Sequence, residues 1–264
     1  MSGAAETGLV VQGLSAGYRG RRVVEDLSLE PIARGQTVSL VGPNAAGKST
    51  LLRAMAGLLP ASGSVKLDGR ELVGRPLGEL ARHVTYMPQT LPQGVALSVL
   101  ETVTAALRAS PAGHALGAQD PAERAMAVLE RIGIGALAMR GIDQLSGGQR
   151  QLAALAQALV RSPELLLLDE PTSALDLHYQ LKVLDLVREL AAERRMIVVI
   201  VLHDLQAAAR ASDQVVVLSH GRVVAQGTAA EAITPEILAD VYRVRSRVDA
   251  CERGSLRIMV DDVI

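Results

Sequence analysis

The string Gly42-Pro43-Asn44-Ala45-Ala46-Gly47-Lys48-Ser49 constrains this chain more than any other feature. It fits the pattern G-x-x-x-x-G-K-[ST]. It follows a short apolar run at 37–41 and precedes a stretch with helical spacing at 49–57. A buried strand, a glycine-rich turn and a helix in that order form a cradle for phosphate. Gly42 and Gly47 let the backbone curl so that successive N–H groups face one point. The helix that starts near Lys48 adds the partial positive charge of its N-terminus. Lys48 supplies a point charge to β- and γ-phosphates, and the Ser49 hydroxyl is a hard oxygen suited to Mg²⁺. The expected binding set runs from Gly42 through Thr50. Alone, the motif specifies a nucleoside triphosphate and leaves kinases, GTPases and ATPases open.

A second feature supplies acid. Leu165 to Leu168 is an unbroken apolar run that ends in Asp169-Glu170. Such a strand delivers carboxylates to the carboxyl edge of a sheet, where ligands bind in open α/β folds. Asp169 is the candidate to hold Mg²⁺ through water. Glu170 is the candidate to orient and deprotonate an attacking water.

The rest of the chain reads as alternating strands and helices. Segments 10–15 and 23–30 alternate loosely, with turn residues Gly17 and Gly20 between them, which predicts antiparallel sheet. Residues 64–67 before Asp68-Gly69 give a second hairpin signal. Segments 101–109, 122–132 and 148–159 have helical period. So does 177–194, and 196–202 is a buried strand. Val215 to Leu218 and Val223 to Ala225 flank His220-Gly221 as a hairpin, and 111–121 is a Gly/Ala/Pro-rich connection. The pattern predicts an α/β fold with a parallel sheet, an antiparallel β subdomain and an inserted all-helical subdomain.

Composition excludes several function classes. The 264 residues are 49% hydrophobic with a net charge of -1, so no basic field invites nucleic acid. The single cysteine, Cys251, forbids an internal disulfide and suits a reducing compartment. No apolar run approaches the roughly 20 residues of a membrane helix, and the start of the chain lacks the charged and apolar regions of a signal peptide.

Leu145-Ser146-Gly147-Gly148-Gln149, about 20 residues before the acidic strand, makes the family recognisable. Its chemistry is legible: Ser146 can cap the helix that follows, and Gly147 and Gly148 leave backbone N–H groups open to an anion. This string resembles the signature of ABC (ATP-binding cassette) ATPases, and the other family elements fall in order along nearly the whole chain. The resemblance implies a P-loop NTPase core at about 1–90 and 160–230, a helical subdomain at about 91–159 and a C-terminal extension at about 231–264. It implies ATP and Mg²⁺ as cofactors, and Tyr18 as the aromatic stacked on adenine. It assigns Gln89 to sensing Mg²⁺ and the attacking water, Ser173 to Asp176 to a loop crossing a dimer interface, and His203 to contact with the γ-phosphate. Two phosphate-binding devices far apart on one chain suit a head-to-tail homodimer, each copy offering Ser146, Gly147, Gly148 and Gln149 to the other's ATP. Ala45 departs from the family, which often has glycine there. If that position needs positive φ, alanine is strained by about 1 kcal/mol or more.

The resemblance further implies a peripheral subunit at the cytoplasmic face of the cell inner membrane. Its partners would be integral membrane permease subunits and, indirectly, a solute-binding protein. Met87-Pro88-Gln89, Leu202-His203-Asp204-Leu205, and the stretches 221–227 and 234–242 are similar to the subfamily serving iron–siderophore, haem and cobalamin import. An exporter subunit, an importer of another solute, a non-transport ABC ATPase and a non-hydrolysing regulatory module remain open. Intact Glu170 and His203 speak against the last. No chemistry is assigned after about residue 241, and the remaining histidines (His83, His114, His178, His220) are expected at surface or turn positions.

Overall fold

The computed structural model describes residues 7–89, 97–110, 120–251 and 256–264. Most of the expected connection at 111–121 and the entry to the helices at 90–96 lie outside them.

The chain opens with β1 (Leu9–Tyr18) and β2 (Arg21–Ile32), which pair antiparallel down to Tyr18 opposite Arg21. The hairpin is longer than its alternation predicts. Gly17 lies within β1, and the turn itself is Arg19-Gly20, with φ of 44° and 82°. Both residues are left-handed, as the twist of a two-residue hairpin demands. β3 (Thr37–Val41) leads through the glycine-rich loop into α1 (Lys48–Met55). Next come β4 (Ala61–Leu67), β5 (Arg70–Glu71), α2 (Leu77–Leu80) and β6 (Val84–Met87). Three helices follow: α3 (Val99–Arg108), α4 (Pro121–Ile132) and α5 (Gly147–Leu159). The chain then alternates through β7 (Leu165–Asp169), α6 (Leu177–Arg194), β8 (Ile197–Val201), α7 (Leu205–Ala211), β9 (Gln214–Ser219) and β10 (Arg222–Gly227). It closes with α8 (Ala229–Ala232), α9 (Pro235–Tyr242), β11 (Val244–Ala250) and β12 (Leu256–Val263). The last two form a hairpin that the sequence reading did not anticipate.

The central sheet runs β10-β9-β3-β8-β7-β6, parallel except for β10 at one edge. A separate antiparallel sheet runs β2-β1-β4-β5. β3, β7 and β8 are buried at every residue, the expected state of parallel strands covered on both faces. Their side chains alternate between two cores. Leu165, Leu167, Ile197 and Val199 join α1 and the antiparallel sheet, while Leu166, Leu168, Val198 and Ile200 join the helices on the other side. Period-2 alternation therefore persists in runs that show no polar residue, because both faces need apolar cover. With no Phe or Trp in the chain, aliphatic side chains fill both cores. Each fully buried Leu, Ile or Val contributes about 1.5–3 kcal/mol over its exposed state.

Strand register sets out the site. Leu40 pairs with Val201, Val201 with Asp169, and Leu168 with Met87. The carboxyl ends of β3, β8, β7 and β6 therefore lie along one edge. The residues that follow them, Gly42, His203, Glu170 and Gln89, emerge together.

Candidate active site

The glycine-rich loop follows from local backbone chemistry. Gly42 has φ 146° and Gly47 has φ 103°, left-handed values that favour glycine. At Gly42 a Cβ would also lie 2.1 Å from the Leu218 carbonyl oxygen, so space excludes a side chain there too. Ala45 has φ 63°, which meets the condition for strain at that position. Lys48 Nζ donates to the Gly42 carbonyl at 2.7 Å and the Pro43 carbonyl at 2.9 Å, so the ammonium sits within the curl of the loop. Burial pulls its pKa below the ordinary value, against the opposing pull of Glu170 and Asp169. Tyr18, Arg21, Asn44, Ala46, Ser49 and Thr50 line a cleft of about 480 Å³ together with Ala45, Gly47, Lys48 and Glu170. Tyr18 is 42% exposed, leaving its ring available to a ligand.

The acidic strand end meets this loop directly. Ser49 Oγ donates to Asp169 Oδ1 at 2.9 Å, and Tyr86 Oη donates to Asp169 Oδ2 at 3.0 Å. Glu170 is gripped by both oxygens: Gln89 Nε2 donates to Oε2 at 2.6 Å, and His203 Nε2 lies 2.5 Å from Oε1. The structure thus brings Lys48, Ser49, Gln89, Asp169, Glu170 and His203 together. The strands that position them end as far apart in sequence as Val41 and Val201.

The Ser146 string stands apart. Ser146 Oγ accepts from the Gln149 amide at 3.3 Å while Gln149 Oε1 accepts from the Ser146 amide at 3.1 Å, a reciprocal cap on α5. Ser146, Gly147, Gly148 and Gln149 line a second cleft, of about 570 Å³, that shares no lining residue with the first. Gly148 is held by packing, since a Cβ there would sit 3.0 Å from the Ala174 carbonyl oxygen.

Several contacts escaped the sequence reading. Arg53 donates to both Tyr18 Oη, at 3.1 Å, and Tyr86 Oη, at 3.2 Å, linking the cleft wall to the phenol on Asp169. Burial, with Asp169 beside it, pushes the Tyr86 phenol up to about 12. Gln151, on α5, donates from Nε2 to the Glu170 carbonyl at 2.7 Å. Tyr242 lies in the extension assigned no chemistry, and burial pushes its phenol up to about 12, against the opposing pull of the Gly42 amide. His83 sits in the turn before β6, as expected, but it is half-buried and has a partner the sequence did not indicate. It lies 2.5 Å from Glu164 Oε1, in a cluster with Arg34, Arg70 and Asp68. None of these residues belongs to a local motif; packing of segments distant in sequence brings them into contact.

Comparison with known proteins gives the family. The sequence profile of the ABC transporter family matches residues 24–173. The iron(3+)-hydroxamate import ATP-binding protein FhuC of Bacillus subtilis is 37% identical over 91% of this chain and 89% of its own length. The hemin import ATP-binding protein HmuV of Rhodopseudomonas palustris is 39% identical over 94% of this chain and 92% of its own. The cobalamin import ATP-binding protein BtuD of Halobacterium salinarum is 36% identical over 91% of this chain and 60% of its own. Among solved structures, a chain of an inward-facing ABC transporter assigned to the metal-chelate type aligns with a TM-score of 0.77 at 26% identity, over 97% of this chain and 98% of its own. A dimeric ATP-binding cassette in a post-hydrolysis state, bound to ADP and Pi, aligns with a TM-score of 0.75 at 27% identity, over 84% of this chain and 98% of its own. No helix among the described residues is long and apolar enough to cross a membrane. The chain belongs to the ABC transporter family, as an ATP-hydrolysing nucleotide-binding subunit.

Proposed function

We propose that this subunit powers import of a metal chelate or corrinoid: an iron–siderophore, haem or cobalamin. The observation that carries the proposal is the alignment, over about nine-tenths of this chain, with import subunits named for all three cargoes. Its partners are a second copy of itself and permease subunits that span the membrane, with a solute-binding protein beyond them, and it works peripherally at the cytoplasmic face. The two separate clefts support a head-to-tail pair, in which each Ser146–Gln149 turn closes over ATP held by the other copy's loop.

In that arrangement ATP lies with its adenine against Tyr18 and its phosphates in the loop from Gly42 to Thr50. Lys48 leaves the carbonyls of Gly42 and Pro43 for the β- and γ-phosphates. Glu170 takes a proton from water aligned with the γ-phosphate, and His203 and Gln89 keep its carboxylate aimed. The rate gain is positioning and electrostatics, with no covalent intermediate on the protein. The donor set also fits Mg²⁺. Ser49 Oγ and Asp169 Oδ1 are hard oxygens 2.9 Å apart, and no cluster of three His, Cys, Asp or Glu among the described residues makes an all-protein cage. Mg²⁺ is characteristically held by one or two carboxylates plus substrate phosphates. Ser49, Asp169 and Gln89 would hold it, and it would supply neutralising positive charge to the phosphates there.

The test is uptake of labelled ferric siderophore, haem and cobalamin in cells carrying Glu170→Gln at this locus. Loss of one uptake with the others intact names the cargo. Unchanged uptake of all three refutes the import proposal and leaves the ATPase in place.

A further inference from the structure

Glu170 has φ 53°, a left-handed backbone that costs a side-chain-bearing residue about 1 kcal/mol or more. Something must hold the peptide in that conformation. Gln89 and His203 grip the carboxylate, but the backbone is held from elsewhere. The Glu170 carbonyl accepts from Gln151 Nε2 at 2.7 Å and from Ser173 Oγ at 3.2 Å. Gln151 is 5% exposed and lies in the second turn of α5. Its Oε1 accepts from the Ala174 amide at 2.9 Å. One buried carboxamide therefore ties three pieces of chain together: α5, the strained peptide of Glu170, and the turn at Ser173-Ala174. Both ends of the amide are used, which requires a donor and an acceptor on one side chain of this length.

The same helix begins at the Ser146 turn. Gly148 packs so closely on Ala174 that a Cβ there would lie 3.0 Å from the Ala174 carbonyl oxygen. A shift of α5 is thus carried to the Ala174 turn and to the Glu170 carbonyl by packing and by the Gln151 amide. We propose that Gln151 is a positioning residue that fixes the backbone of Glu170 and couples the helix behind the Ser146 turn to hydrolysis at the same chain's own phosphate loop. In a head-to-tail pair that turn faces the partner's ATP, so Gln151 carries the state of one ATP site to the other. The inference rests on the proposed role of Glu170 as the water-activating residue.

The full chain is assayed as Gln151→Met, which keeps the volume and removes both bonds, and as Gln151→Glu, which keeps an acceptor for Ala174 and removes the donor to Glu170. ATP hydrolysis is followed against ATP concentration, with Glu170→Gln in parallel. Both Gln151 variants should lose on the order of 10-fold to 100-fold in kcat, as a misplaced catalytic group does, with little change in KM. The Hill coefficient for ATP should fall towards 1. A purely structural role would not produce that split, and unfolding midpoints of the variants identify any that fail to fold. If Gln151→Met does not fold, Gln151→Glu carries the test. Wild-type kcat and cooperativity in a folded variant, or a raised KM with kcat intact, overturns the inference while loss of hydrolysis in Glu170→Gln leaves the site reading standing. Retained hydrolysis in Glu170→Gln overturns both.

Discussion

Replacing Ala45 by glycine isolates one backbone angle. Ala45 is exposed, so its methyl contributes no core packing, and its φ of 63° is left-handed. Relief of the Cβ–carbonyl clash is worth about 1–2 kcal/mol. Glycine's extra freedom in the unfolded chain takes back about 0.4–1 kcal/mol. The net expectation for Ala45→Gly is a gain of about 0.5–1 kcal/mol, or about 1–4 °C in Tm for a chain of this size. Ala45→Val should move the other way by about 1 kcal/mol or more, because a β-branched side chain is worse still at positive φ. Urea unfolding of both variants beside the wild type, in the absence of nucleotide, gives the numbers directly. Destabilisation of Ala45→Gly by about 0.5 kcal/mol or more, the behaviour of glycine replacing alanine in right-handed backbone, would refute the reasoning.

Gly148→Ala should leave a folded protein with reduced kcat, since its Cβ meets the Ala174 carbonyl oxygen at 3.0 Å and the Leu175 side chain at 3.2 Å; wild-type turnover would mean that the Ala174 turn yields freely. Tyr86→Phe removes the donor to Asp169 Oδ2, and should cost about 1 kcal/mol in unfolding free energy and weaken Mg²⁺ dependence of ATP hydrolysis; an unchanged Mg²⁺ titration argues against a role for the phenol. Acid titration of stability tests the Glu164 cluster. Burial raises the Glu164 pKa, but hydrogen bonds from His83 and Arg34 outweigh it and hold the carboxyl below its usual range, and Arg34 likewise holds Asp68 low. A depressed folded pKa contributes stability above the ordinary carboxylate range that is lost as pH falls through the folded value. Glu164→Gln should therefore show a shallower loss of stability with acid than the wild type, measured as unfolding midpoint against pH, and parallel curves would exclude the cluster as a contributor.

Much of this protein is decided within short windows of sequence. Two of the three positive-φ residues in the loop from Gly42 to Ser49 are glycine, with Ala45 the exception, and the pattern of glycines, lysine and serine predicts phosphate binding before any tertiary contact forms. The Ser146 cap on α5 is likewise local, made by residues three apart. Apolar runs such as Leu165 to Leu168 announce buried parallel strands, because no polar face could be tolerated there. Strand ends were less legible: β1 and β2 extend to Arg19-Gly20 because cross-strand pairing, which no single strand encodes, continues past the alternating residues.

Tertiary structure alone decided the partners of those groups. Register along β3, β8, β7 and β6 brings Ser49 to Asp169 and places Gln89 and His203 on opposite oxygens of Glu170. Gln151, Tyr86, Arg53 and Tyr242 sit in ordinary helical or strand positions, His83 sits in a turn, and none carries a motif, so their roles appear only when distant segments pack. A residue's conformational needs are short-range and written beside it. Its hydrogen-bond partner is chosen by whichever strand or helix burial brings against it, and that choice belongs to the whole fold.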